Sequence, residues 1–284
     1  MKKARAKRPL TPTVAMHYVK LILRLIIFIT AAVLYLYNKI HDTGKTFGGF
    51  EDRSVFTAIV WLFFVVGMIL RMFPSKLESM GCQKQLKRNY NPKADAPTDR
   101  KDYGRQPGIL TFAAFSAWIA LNAIIGILYF ADIIDAGMLV LVSLAYSIGD
   151  VICILFFCPF QTWILKNKCC ATCRIYNWDY AMMFTPFIFI PHPFTWSLLA
   201  IALVILVKWE YCYRRYPERF VESCNDSISC KNCTEKLCQH KKQLRRFLKK
   251  RSFKFNLKGN PIFKKRKEKN ATEQNPNAQK PSDT

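Results

Sequence analysis

The stretch AMMFTPFIFIPHPFTWSLLAIALVILV (181–207) decides how this chain is built. Taken whole it is about one membrane crossing long, since roughly 20 apolar residues cover a ~30 Å hydrocarbon layer. Pro186, Pro191 and Pro193 argue against one straight helix, because a proline inside a helix removes a backbone donor and clashes with the preceding turn. They divide the stretch into a short arm, a PHP corner and a longer helix that starts near Phe194. As a single crossing, the segment would send the rest of the chain to the opposite face of a membrane. As a re-entrant hairpin it returns the chain to the face it left, and its broken backbone must then be shielded by protein or line a wet cavity.

Upstream lie four nearly uninterrupted apolar blocks: LILRLIIFITAAVLYLY (21–37), VFTAIVWLFFVVGMIL (55–70), ILTFAAFSAWIALNAIIGILYF (109–130) and MLVLVSLAYSIGDVICILFFC (138–158). With their flanks each is long enough to cross. The first has a basic leader but exceeds a signal-peptide apolar core and ends in YNKIHDTG, without a small-residue cleavage site, so it reads as retained. The fold class is therefore an all-α polytopic membrane protein. It comprises four transmembrane helices, a Pro-broken fifth hydrophobic segment (re-entrant hairpin or fifth span) and a small Cys-rich cytosolic module.

Lysine and arginine near the membrane ends set the orientation. Lys2, Lys3, Arg5, Lys7, Arg8 and Lys20 precede or open the first block, and nine basic residues from Arg71 to Arg105 fill the second loop. Residues 38–54 balance three basic residues with Asp42, Glu51 and Asp52, and ADIIDAG (131–137) has aspartates alone. The tail from 239 to 269 holds fourteen Lys or Arg against Glu268. A hairpin at 181–207 keeps all these basic segments in the cytosol, which places both termini there, in a plasma or cytoplasmic membrane. The expected order is a basic N-terminal segment (1–17), a four-helix domain (18–159), a cytosolic Cys-containing loop (160–180) and the Pro-broken segment (181–213). A Cys-rich metal-binding module (214–240) and a polybasic, then disordered tail (241–284) follow.

Eleven cysteines are present. KCCATC supplies Cys169, Cys170 and Cys173, and ESCNDSISCKNCTEKLCQH (222–240) supplies Cys224, Cys230, Cys233 and Cys238. In a reducing cytosol, clustered thiols read as metal ligands or redox groups rather than disulfides. Four adjacent thiolates repel one another until a cation neutralises them. The C-x5-C-x2-C-x4-C spacing suits zinc in a closed tetrahedron or a four-iron cluster (4Fe-4S). CCATC offers a second site together with Cys82 or Cys158, completes a site shared with the other group, or is a set of free thiols. The sequons NDS (225–227), NCT (232–234) and NAT (270–272) fit the opposite topology, in which the same cysteines would pair in an exterior disulfide module.

The spacing over 224–238 resembles the cluster loop of iron–sulfur DNA glycosylases, C-x6-C-x2-C-x5-C, and the resemblance implies that a cube of iron and sulfur fits a loop of this size. FCPFQTWILKNKCCATC (157–173) resembles membrane-bound polyferredoxin maturation and electron-transfer proteins, which follow four helices with cytosolic cluster motifs. The repeated C-x2-C-x2-C-x3-C-P blocks of that group are absent here, so no residue is carried across.

Asp150 is expected near the bilayer midplane, where an isolated carboxylate costs ~2.5–3.5 kcal/mol even on lenient scales and marks a functional site by default. It shares a helical stripe with Ser143, Tyr146, Ser147 and Cys153, and Arg24 or Asn122 could partner it. An Asp150–Arg24 pair could equally serve packing alone. His192, at the PHP corner, would also lie within the membrane, and an imidazole can pass protons near neutral pH. Asp150 and His192 are thus candidate proton carriers for a quinone, or for a transport path. The tail HKKQLRRFLKKRSFKFNLKGNPIFKKRKEK (240–269) interleaves basic residues with phenylalanine and suits anionic lipid headgroups better than nucleic acid, since it has no base-reading motif. P-loop, H-E-x-x-H, G-x-S-x-G and Gly-rich dinucleotide motifs are missing. The expectation is a cytosol-facing iron–sulfur centre serving a lipid-soluble carrier, or a non-catalytic transporter or scaffold braced by zinc, with a protein partner still to be named.

Overall fold

The computed structural model describes residues 11–41, 55–73, 84–97, 108–166, 173–229, 231, 233 and 237–243. Cys82, Cys169, Cys170, Cys230, the basic leader and most of the polybasic tail lie outside the described residues. The chain divides into two units, 1–238 and 239–284. In the second, residues 239–243 are helical.

Five helices of the first unit are long and apolar enough to cross a membrane: α1 (Pro12–Ile40), α2 (Val55–Met72), α3 (Gly108–Phe130), α4 (Ala136–Leu155) and, after a short α5 (Asp179–Phe184), α6 (Pro193–Arg215). Proline opens α1 and α6, where the missing donor is harmless. Among the described residues no strand occurs, and Pro92–Asn225 forms an isolated bridge. Large apolar side chains on the outer faces of α1, α2, α3 and α6 are exposed, including Ile22, Ile59, Ile127 and Val207. Those faces suit contact with lipid.

The Pro-broken segment is built as two antiparallel arms. The first winds as a 3-10 turn (Arg174–Trp178), α5, and a second 3-10 turn (Thr185–Phe189), and α6 returns beside it. The arm therefore starts at Arg174, inside the span expected to be a loop over 160–180. Arg174 and Asp179 gave that stretch a loop-like look, yet each meets an opposite charge within the bundle. At the base, Arg174 Nη2 lies 2.6 Å from Glu210 Oε2, and Trp178 Nε1 donates to Glu210 Oε1 at 2.9 Å. At the tip, the Phe189 ring packs on Tyr129 and Phe130 of α3.

A backbone with 3-10 turns leaves polar groups less well paired than an α-helix, and in hydrocarbon it persists only inside protein. The arm meets that condition. Tyr180, Met183, Phe184, Phe187 and Ile190 are all buried. Phe184 packs edge-on against Phe64 of α2 and stacks on Phe187. Small residues let the arm come close, as is usual between helices in membranes: a methyl group on Gly67 would lie 2.9 Å from Tyr180 Oη, and one on Gly126 would lie 2.5 Å from Phe189 Cζ. Gly126→Val should lower stability by about 1–3 kcal/mol through overpacking, read as a lower midpoint in detergent-solubilised unfolding, whereas Gly149→Ala, with open space around it, should be tolerated.

At the tip end, Asp135 caps α4, its side chain accepting from the Met138 N–H at 2.8 Å. Tyr35 Oη donates to it at 2.7 Å, and Lys39 Nζ lies 3.3 Å away. Burial pushes this carboxyl up, but hydrogen bonds from Tyr35, Met138 and Lys39, with the charge of Lys39, outweigh it and hold it below its ordinary range. A carboxyl depressed by folding contributes stability above its unfolded pKa, and that contribution disappears as pH falls through the folded value. Exchange of the Met138 amide should therefore quicken in acid, below pH ~4, and the acid response should be absent in Asp135→Asn.

Candidate functional site

A cavity of about 230 Å³ opens between α4, the first arm and the π-helical turn Phe160–Ile164. Its wall brings together Asp150 and Cys153 of α4, Cys158, Cys173, Tyr146 and Asp179. Most of the remaining surface is apolar, with Trp118 and Tyr146 in ring contact at 4.6 Å. Tyr146 Oη is buried and has no hydrogen-bond partner among the described residues. It is a donor available to a ligand.

Both carboxylates of the chamber are backed by arginine. Arg24 Nη1 of α1 lies 2.8 Å from Asp150 Oδ2 and also donates to the Ser147 carbonyl. Arg71 Nη1 of α2 lies 2.8 Å from Asp179 Oδ2, and Arg71 Nη2 donates to the Tyr176 carbonyl at 2.9 Å. The Arg71 guanidinium also lies over the rings of Tyr176 and Tyr180. The side chains are 7% and 17% exposed in the first pair and 2% and 8% in the second. Each pair therefore holds its charges where solvent screens little.

Of the two partners considered for Asp150, Arg24 is the one in place. Asn122 donates to Trp118 O of its own helix at 3.0 Å, and its Oδ1 is buried without a partner among the described residues. α4 ends at Leu155, so Asp150 sits ~8 Å from that end rather than at mid-span, at 1.5 Å per residue. His192 is elsewhere. Its Nδ1 accepts from the Phe194 N–H at 3.3 Å and caps α6, near the tip where Phe189 meets Phe130. Phe194 shares a cavity wall with Val140 and Ser143 of α4, about 10–15 Å along that helix from Asp150, so the two candidate proton carriers are not brought together. The PHP corner gives no sequence cue to depth, and the arm reaches further than its short apolar run suggested.

At the base, residues 84–97 dock on 219–229, and Asn225 is the hub. Its side chain, 0% exposed, donates to the Lys84 and Arg219 carbonyls at 3.1 and 2.9 Å. Its Oδ1 accepts from Ser227 N at 3.1 Å and Asn91 N at 3.4 Å. Lys93 N donates to Cys224 O, and Asp226 N to Asn91 O. Within this frame Cys224 is buried, while Cys233 and Cys238 are half-buried, and all three carry free thiols. Lys84 Nζ lies 3.8 Å from Cys233 Sγ. Leu237, next to Cys238, packs against the cluster formed by Val14 of α1 with Val151 and Leu155 of α4.

Among the described residues, no three His, Cys, Asp or Glu side chains are gathered tightly enough to hold a metal ion. Cys173 joins the chamber wall, with Cys153 and Cys158, rather than the group at 224–238. Asp179 and the Asn225 hub were not singled out from sequence, and Tyr146 was named there only as a member of the Asp150 stripe. Asp179 in YNWDY carried a weak signal, a lone acid just before an apolar run. No family model matches the chain, and no curated protein or solved structure matches it.

Proposed function

We propose that this is an integral membrane protein with a cytosol-facing, cysteine-ligated metal centre at its base, passing electrons from an iron–sulfur cluster to a quinone-class carrier held in the Asp150 chamber. The observation that carries the proposal is the packing of the cysteine segment on a cluster that α1 and α4 build together. Leu237 packs against the cluster of Val14, Val151 and Leu155, and Asp150 and Ile154, neighbours of Val151 and Leu155 on α4, line the chamber.

Residues 217–229 contain only three-residue 3-10 turns, Pro217–Arg219 and Asp226–Ile228, beside one bridge. So small a loop-built module rarely holds together without a disulfide or a metal, and Cys224, Cys233 and Cys238 are not bridged. Cys230 falls between them in sequence and completes a four-thiolate set. In the chamber, Tyr146 Oη would donate to a quinone carbonyl, Trp118 would pack on its ring, and Arg24 holds the Asp150 side chain in position. A cluster held by Cys224, Cys230, Cys233 and Cys238 would pass one electron at a time from a soluble reductant, so forming the quinol would take two such transfers and two protons drawn from the base. His192 is too far from the chamber to supply them.

The same need for a staple supports a second reading, in which zinc on these thiolates braces a scaffold or transporter. Elemental analysis of anaerobically purified protein separates the two. Iron and acid-labile sulfide with brown thiolate-to-iron absorption are expected, and Cys233→Ser should lose them. A colourless protein with stoichiometric zinc would leave only the bracing role.

A further inference from the structure

A second cavity, of about 490 Å³, lies between α3, the first arm and α6 and opens sideways through exposed apolar side chains. Phe115, Ile119, Ile188 and Leu203 in its wall are all more than 40% exposed. At the base end the wall turns polar, with Arg174, Glu210, Arg214 and Thr111. Arg174 is spent on Glu210 and stacks over the Tyr213 ring. Arg214, one turn beyond Glu210 on α6, is exposed and has no ion pair or hydrogen bond among the described residues. Thr111 is 4% exposed, and its Oγ1 is buried without a partner among the described residues.

These groups are ordered by depth. Arg214 is outermost; Thr111, in the first turn of α3, comes next; Phe115 and Ile119 follow at successive turns of α3, with Leu203 facing them from α6. Charge, hydroxyl, then hydrocarbon is the order of phosphate, ester and acyl chain in a glycerophospholipid. The local charge is positive, because two arginines face one glutamate. We infer that this groove is a binding site for one anionic phospholipid, its phosphate on Arg214, an ester carbonyl accepting from Thr111 Oγ1, and one acyl chain lying along Phe115, Ile119 and Leu203. The inference does not depend on the metal centre or on the chamber.

The test uses the full chain, delipidated in detergent and offered phosphatidylglycerol or phosphatidylcholine of identical chains, with bound lipid counted by native mass spectrometry. Wild type should retain about one phosphatidylglycerol at concentrations where phosphatidylcholine is lost. Arg214→Gln should weaken that retention roughly five-fold, the weight of one basic side chain facing an anionic headgroup, while leaving the melting curve unchanged. Thr111→Val should lose the preference for ester-linked over ether-linked phosphatidylglycerol, since the ether lacks the carbonyl, and this comparison stands even if the Arg214 variant fails to fold. Equal retention of the two headgroups by wild type would overturn the assignment. So would unchanged binding by Arg214→Gln, or displacement of the lipid by inorganic phosphate alone. Displacement by a quinone would show that the groove serves a different amphiphile.

Discussion

Asp179→Ala should cost about 3–5 kcal/mol, because it strands a buried guanidinium without its counter-charge. Arg71 is 2% exposed and Asp179 8%, so water cannot take over the lost interaction without opening the bundle. The Tyr176 carbonyl, Asn177 Oδ1 and the faces of Tyr176 and Tyr180, which Arg71 also meets, are neutral and supply no counter-charge. The effect should also spread. Arg71 Nη2 reaches Asn177 Oδ1, and Asn177 Nδ2 donates to Gln85 at 2.8 Å, next to Lys84, whose carbonyl holds Asn225. Thermal unfolding in detergent should therefore show a large drop in midpoint, and hydrogen exchange should quicken around Asn225. A midpoint equal to that of wild type would mean that the pair is dispensable.

Asp150→Asn should be nearly as damaging, about 3 kcal/mol or more, since Arg24 then keeps its charge at membrane depth with the Ser147 carbonyl as its remaining anchor. Stability and function can be separated here. Replacing both members of a buried pair by apolar residues of similar size is often neutral, so Arg24→Met with Asp150→Leu should recover most of the lost midpoint. If the chamber carries the electron acceptor, the double variant should keep its metal and its fold yet reduce a soluble quinone analogue far more slowly. Full activity in that variant would reduce the Arg24–Asp150 pair to a packing device.

Much of the architecture was legible from apolar block length alone, because a helix that must cross a membrane has little freedom in composition. α1, α2, α3 and α4 sit where LILRLIIFITAAVLYLY and its three successors placed them, and α6 begins at Pro193, one residue from the expected start. The first arm was harder to read. Residues 174–180 carry Arg174 and Asp179 among polar neighbours, and no periodicity reveals that Glu210 and Arg71 wait for them from other helices. The chamber was half legible. Asp150 announced itself as a charge in hydrocarbon, and Arg24 was among its expected partners. The gathering of Cys153, Cys158 and Cys173 depends on how the turn at 160–164 folds back, which spacing does not encode. Asn225, the hub of the base, stood in plain view inside a sequon, where its side chain looked like a surface amide.

The order in which the two arms leave the ribosome matters. The 174–189 arm emerges first, short and irregular, with its core partner α6 still unsynthesised, and alone it is a weak stop-transfer signal. It must wait at the insertion machinery until α6 appears, and the pair then integrates as one unit, locked by Arg174 and Glu210. A nascent chain arrested before Pro193 should leave the arm open to protease, and release of the arrest should close it.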